Sequence, residues 1–295
     1  MFSRRHPYLF FLLAFSSICA AVFIVTTLVI VLALNQSGLT DFDASDKDKV
    51  GLIEVTGYIM DSTDILENIK TFRNDESVRA IVLRVDSPGG AVGPSQEIFR
   101  EIKKTVLVKP VIASMGAVAA SGGYYVAAGA KGIVANPGTI TGSIGVIMSF
   151  TNLEEILKKI GLAPVVIKSG TFKDTGSSMR KMTDADRALL QNFSDQIHRQ
   201  FIAAIAEGRN MDVEKIKTFA DGRILTGETA LELGLVDRMG NLEDAIDWAA
   251  ESAGILGEVE VVHPEDKKLD WLKKLVETTI ESIVVKISAH QLITG

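Results

Sequence analysis

Apolar and polar positions along this chain fall into two alternating rhythms. Val50 to Tyr58 predicts a strand, Ser62 to Phe72 a helix, and Arg79 to Val85 a buried strand whose apolar run ends at the turn Asp86-Ser87-Pro88-Gly89-Gly90. Pro94 to Val106 predicts the next helix and Pro110 to Met115 the next short strand. Gly116 follows, then a small-residue helix that begins near Ser121 and runs to about Ala128. The alternation continues through Gly132 to Ala135, Ile144 to Ser149, Leu153 to Ile160 and Pro164 to Lys168. Strands alternating with helices predict an α/β domain with mainly parallel strands and one layered core.

A long helix is predicted over Thr183 to Gly208, with Thr183 and Asp186 in a capping arrangement. Its apolar positions Leu189, Leu190, Phe193, Ile197, Phe201, Ile202 and Ile205 recur at helical spacing and read as a packing or oligomer face. Leu225 to Trp248 supplies further helices and Val259 to Val262 a last strand. From Leu269 to Ile293 the chain is amphipathic, a pattern that fits packing on a neighbouring subunit or contact with a membrane surface.

The N-terminal stretch changes the picture. Pro7 to Leu34 carries no charged residue and exceeds the ~20 residues needed to cross a bilayer. Arg4 and Arg5 precede it and the next basic residue is Lys47, so the positive-inside rule leaves the N-terminus cytoplasmic and exports the rest. A cleaved signal peptide is the rival reading, with a cut near Cys19-Ala20-Ala21. That cut would leave Val22 to Leu34 as an exposed apolar N-terminus, which favours an uncut single-pass anchor in the cytoplasmic (inner) membrane. The expected organisation is a cytoplasmic tail at 1–6, an anchor at 7–34, a polar linker at 35–49, the folded extracytoplasmic domain at 50–262 and the amphipathic tail at 263–295.

Composition narrows the chemistry. The 295 residues are 47% hydrophobic, enough for a core after the anchor is subtracted, and the net charge of -6 with no basic run speaks against a nucleic-acid partner. The single cysteine, Cys19, allows no intrachain disulfide, and His6, His198, His263 and His290 are scattered with no metal spacing.

Three segments carry candidate chemistry for acyl transfer, which needs a hydroxyl, a base and oxyanion donors. Ser121 lies in Ala119-Ala120-Ser121-Gly122-Gly123-Tyr124-Tyr125, flanked by small residues at a helix start. Gly90 and Gly122 are candidate backbone N–H donors, because glycine lets a substrate approach the main chain closely. Lys173 follows Lys168-Ser169-Gly170-Thr171-Phe172 and is the candidate base, provided a dry site lowers the ordinary lysine pKa of ~10.4. His198, three residues after Asp195, reads as a surface contact along one helix, although a histidine brought in by the fold stays open as the base. Ser178-Met179-Arg180-Lys181 matches the Ser-x-x-Lys pattern of penicillin-binding proteins, but Lys168-Ser169-Gly170 precedes it, the reverse of their order.

Taken together, Asp86 to Gly90, Ala120 to Tyr125, Thr139 to Val146 and Lys168 to Asp174 resemble the signal peptide peptidase A family over roughly Val50 to Val262. These are membrane-anchored Ser-Lys peptidases of the Clp protease/crotonase-like fold. The resemblance implies Ser121 as nucleophile, Lys173 as general base, Ser143 as the hydroxyl that orients the lysine, and Gly90 and Gly122 as the oxyanion hole. It implies ring-like homo-oligomers in which the lysine can come from a neighbour, no cofactor, and remnant signal peptides or other extended apolar peptides as substrates. Two other classes fit parts of the pattern: a crotonase-like enzyme acting on acyl thioesters, and a catalytically silent membrane scaffold.

Overall fold

Strands form where the apolar runs predict them. β1 (Lys49–Ile59), β2 (Val78–Gly90) and β3 (Val111–Ala120) lie parallel, with Ile53 opposite Leu83 and Leu83 opposite Ala113. The crossovers that parallel pairs require are α1 (Thr63–Asn74) and α2 (Val92–Val106). In this computed structural model the described residues are Tyr8, 15–27 and 48–265. The chain divides into two units, Met1–Lys47 and Asp48–Gly295.

The remaining strands are β4 (Gly132–Ala135), β5 (Ile140–Gly142), β6 (Ile224–Thr226), β7 (Arg238–Met239) and β8 (Glu260–Val262). They complete an eight-stranded sheet in the order β6-β5-β3-β2-β1-β8, with β4 paired to β3 and β7 to β4. Every pair is parallel except β5 with β6. The other helices are α3 (Gly122–Ala127), α4 (Glu154–Lys159), α5 (Asp184–Arg209), α6 (Val213–Lys217), α7 (Gly227–Leu233) and α8 (Leu242–Ala253).

Period-two alternation sends side chains to two cores. Ile53, Val55, Ile81, Leu83, Val111 and Ala113 pack with helical residues such as Ile69, Ile98, Tyr124 and Ile205, whereas Val50, Leu52, Ala80, Val82 and Ile112 pack with Ala245, Ile246 and Ala249 of α8. Each fully buried aliphatic side chain contributes about 1.5–3 kcal/mol, so the sheet is the rigid part of the domain.

β3 is shared between two partners: Ile112 to Ser114 pair with β4, and Val118 to Ala120 with β5. The β2–β3 register shifts between Val85 and Ser87, and the Asp86 carboxylate accepts the Val118 N–H at 3.0 Å in that irregularity. This bond lets β2 and β3 run on together towards their carboxyl ends.

Three sequence expectations need correction. The segment Asp86 to Gly90 is the last part of β2 and not a turn, because Tyr58 and Ile59 pair with Gly89 and Gly90. Neither Ile144 to Ser149 nor Pro164 to Lys168 forms a strand, since an apolar run becomes a strand only with a ladder partner and neither has one within the described residues. Of the predicted stripe on α5, Phe201, Ile202 and Ile205 enter the core, while Leu189 and Phe193 stay exposed. Thr183 caps α5 as predicted, in a reciprocal box with Asp186.

In the first unit the described residues are helical. Among the described residues no helix is long and apolar enough to cross a membrane. The rest of the expected anchor at 7–34, most of the linker at 35–49 and the tail from 266 onward lie outside the described residues.

Candidate active site

The carboxyl ends of β2, β3 and β5 are neighbours, and Ser121 stands one residue beyond the end of β3. Its backbone is held at φ 52 and ψ -119, a conformation a non-glycine residue adopts only when its surroundings impose it, at a cost of about 1–3 kcal/mol. Two hydrogen bonds impose it: the Ser121 N–H donates to Gly142 O and the Tyr125 N–H donates to Ser121 O, both at 2.9 Å. The strand below and the helix above thus fix the hydroxyl-bearing residue at a sharp corner.

Gly122 is the first residue of α3, where helix geometry leaves N–H groups without an intrahelical partner. A methyl group on Gly122 would lie 3.1 Å from Gly90 N and 2.6 Å from Ser95 Oγ, which shows how closely the β2 end and the α3 start approach. Gly89, at φ 103, allows that approach; a side chain there would lie 2.6 Å from Gly122 N and 2.9 Å from Ser121 Cβ. Main-chain groups from the end of β2 and the start of α3 therefore converge beside Ser121, an arrangement suited to stabilising a developing oxyanion.

Ser121, Gly90 and Gly122 line one cavity of about 30 Å³, walled by Val92, Ser95, Tyr125, Val146, Ile197 and Phe201. The Tyr125 ring is fixed edge-on to Phe99 and against Phe201, with centroids 5.3 Å and 4.8 Å apart. Burial pushes the Tyr125 phenol up from its ordinary pKa, so that this wall stays neutral. A larger cleft of about 690 Å³ shares Val146 with the cavity and runs between Phe150, Met182 and Leu190. The smaller cavity is the candidate catalytic centre, because it alone of the two joins a constrained hydroxyl to backbone donors.

Ser143 follows Gly142, the residue paired with Ala120, so it stands just past the end of β5 as Ser121 stands just past the end of β3. It is also held at positive φ (51), and its N–H donates to Arg223 O at 2.8 Å. Lys173 is placed differently. It lies in a turn at 171–176, is exposed, and donates its N–H to Gly170 O at 3.1 Å. The fold brings Ser121, Gly90 and Gly122 together in one cavity and sets Ser143 at the end of the neighbouring strand, whereas Lys173 does not line the cavity, so the inward-turned lysine stem expected from the sequence is not formed within one protomer.

Histidine does not fill the gap. Asp195 accepts from Gln191 and not from His198, and His198 Nε2 is buried without a hydrogen-bond partner. Among the described residues no group of three or more His, Cys, Asp or Glu side chains is placed to hold a metal ion. Two neighbours of the site have no role in the reading from sequence: Asp86, which bridges the strand irregularity, and Ser95, packed against Gly122. Only the adjacency of Asp86 to the Ser-Pro-Gly-Gly motif signals it.

Residues 103–256 match the family described as Peptidase family S49, and residues 50–141 match the Clp protease family. A Synechocystis protein named "Putative protease slr0021" is 47% identical over 77% of this chain and 83% of its own length. The chain belongs to peptidase family S49. As a member of that family it is a serine peptidase. A second relative, "Serine protease SPPA, chloroplastic" from Arabidopsis thaliana, is 36% identical over 70% of this chain, which spans 30% of that relative's length. A solved structure of a mutant form of the "1510-N membrane-bound stomatin-specific protease" superposes with a TM-score of 0.51 at 20% identity, covering 75% of this chain and 99% of that one. At that identity the likeness speaks for the fold, a mixed α/β domain of the Clp protease type.

Proposed function

We propose that this S49 peptidase is a membrane-anchored endopeptidase that cleaves remnant signal peptides and other extended apolar peptides with a Ser121–Lys173 dyad. The observation that carries the proposal is Ser121 itself: a hydroxyl held at positive φ between the Gly90 and Gly122 backbones, at the carboxyl edge of a parallel sheet. In the reaction Ser121 Oγ attacks the peptide carbonyl and Lys173 Nζ, in its uncharged form, takes the hydroxyl proton. The N–H groups of Gly90 and Gly122 hold the oxyanion, and Ser143 orients the lysine. As the C–N bond breaks, the lysine returns the proton to the leaving amine. Water then gives a proton to the same lysine and its hydroxide to the acyl carbon, and the serine ester bond breaks with reprotonation of Oγ.

Exposure of the lysine in one protomer supports a ring-like homo-oligomer in which Lys173 serves the Ser121 of a neighbour. From residue 147 to 185 no side chain is buried, yet Ile147, Val165 and Ile167 are 87%, 87% and 97% exposed. An apolar arm of this length on a soluble face is a contact surface awaiting a partner. The anchor reading rests on the uncharged apolar run at 7–34; in its described part the Thr26 and Thr27 hydroxyls donate back to Phe23 O at 2.9 Å and 2.8 Å, so neither hydroxyl is left without a partner. With the basic residues before it, the positive-inside rule favours a catalytic domain outside the cytoplasmic membrane.

The test uses the full chain in detergent with a quenched apolar peptide and, separately, an acyl thioester. Ser121→Ala and Lys173→Ala are expected to abolish peptide turnover while keeping assembly. Undiminished cleavage by Lys173→Ala removes the dyad, and thioester turnover without peptide cleavage transfers the site to crotonase-like chemistry.

A further inference from the structure

The turn that carries Lys173 has little hydrophobic footing: none of its residues is buried, although Gly176 at its end lies against the Phe150 ring. The nearest buried residue towards the C-terminus is Asp186, a carboxylate, whose side chain is 3% exposed. What fixes the turn is therefore polar, and it converges on Arg180. The Arg180 Nε and Nη2 groups donate to the two oxygens of Asp174 at 2.8 Å and 2.9 Å, and Nη1 donates to Asp186 at 2.6 Å. Arg180 also reaches the main chain, donating to Asp174 O at 3.3 Å and Lys181 O at 3.0 Å.

We propose that Arg180 is a positioning residue for catalysis: by bridging Asp174, next to Lys173, to Asp186 in the first turn of α5, it sets where Lys173 is presented. The inference rests on the reading of Lys173 as the base. A second link runs parallel, from Thr175 Oγ1 to Asp186 Oδ1 at 2.7 Å, and Lys168 Nζ closes the other side on Asp174 at 2.6 Å and Thr171 O at 2.9 Å. Asp186 is itself fixed, because Thr183 N–H and Oγ1 both donate to its Oδ2 in the cap of α5. Lys173 immediately precedes Asp174, and its side chain takes no part in these bonds. The guanidinium fork is what spans two carboxylates at once; an ammonium is a point charge and cannot reproduce it. The bridge has a chemical consequence too. Asp174 is the acid nearest Lys173 in sequence, and its oxygens are engaged by Arg180 and Lys168, which keeps that carboxylate from pairing with the lysine that must lose its proton.

The experiment measures kcat and KM of the full chain with the quenched peptide for Arg180→Ala, Arg180→Lys and Lys173→Ala. Misplacing a catalytic group by about 1 Å costs about 100-fold, so both Arg180 variants are expected to lose kcat by about 10- to 100-fold with KM nearly unchanged. Added ethylguanidinium is expected to restore Arg180→Ala and leave Arg180→Lys unchanged. Wild-type kcat in either variant, a loss confined to KM, or no recovery with ethylguanidinium overturns the proposal. Should Arg180→Ala not assemble, Asp174→Asn weakens the bidentate link together with the Lys168 pair while leaving Asp186 intact, and wild-type kcat there is equally decisive against it. The Lys173→Ala arm separates the two claims: full activity in it defeats the base, whereas its inactivity beside fully active Arg180 variants defeats only the positioning role.

Discussion

Substituting Gly122 by alanine tests the oxyanion hole without touching either proposed dyad member. The added methyl would lie 2.6 Å from Ser95 Oγ, 3.1 Å from Gly90 N and 3.3 Å from Gly89 Cα. Ser95 cannot swing into solvent, since it is 2% exposed and its hydroxyl donates to Ala91 O at 2.9 Å. Two effects are then superposed. Overpacking against Ser95 costs about 1–3 kcal/mol of stability. Blocking one donor costs about 100- to 1000-fold in kcat, because the oxyanion must come within about 2.7–3.1 Å of each N–H. The double variant Ser95→Ala/Gly122→Ala separates them, as it removes the closest clash and leaves the methyl against Gly90. Urea unfolding is expected to show stability recovered in the double variant, while peptide hydrolysis stays slow. Wild-type kcat in Gly122→Ala, or full recovery of kcat in the double variant, would refute the assignment of these two N–H groups.

Three further outcomes are expected. Ser121→Gly is expected to be more stable than Ser121→Ala by about 1–3 kcal/mol, because glycine relieves the positive φ that alanine retains; equal unfolding midpoints would remove the strain. Ile167→Asp is expected to leave protomer stability within about 0.5 kcal/mol but to dissociate the assembly in analytical ultracentrifugation, and an intact oligomer would show that the arm is not the contact. Hydrogen bonds from Arg180 and Lys168 hold the Asp174 carboxyl well below its ordinary 3.8, and those from Arg180 and Thr175 do the same for Asp186. Both carboxyls therefore contribute stability that is full above that value and is lost as pH falls through their lowered folded values. Hydrogen exchange over residues 170–186 is expected to stay protected as pH falls to the ordinary carboxyl value of 3.8 and to open below it; opening at higher pH contradicts the network.

Much of the sheet was legible because its strands are continuous apolar runs that need only the neighbours the topology supplies. Val50 to Tyr58 and Gly132 to Ala135 emerge almost as predicted. The end of β2 was not legible: Pro88-Gly89-Gly90 reads as a turn until Tyr58 and Ile59 are seen to pair with it, a contact about thirty residues away in sequence that local propensity does not encode. Pro164 to Lys168 failed in the opposite sense, having strand composition but no partner edge within the described residues. At the site, Ser121 was marked by its small neighbours and the helix after it, yet the backbone conformation that presents it depends on Gly142, a residue of another strand. Arg180 reads in sequence only as part of a Ser-x-x-Lys decoy. Its even spacing between Asp174 and Asp186 is visible, but the bridge needs the turn between them to fold back on α5.

An experimental structure of the assembled full-length chain measures the central claim most directly, through the separation of Ser121 Oγ and Lys173 Nζ at each protomer and each junction. Within one protomer Lys173 is exposed and does not line the cavity that holds Ser121. The account predicts that assembly brings them to about 2.6–3.2 Å, within reach of proton transfer. Lysines that remain in solvent at every junction, remote from any Ser121, would contradict it.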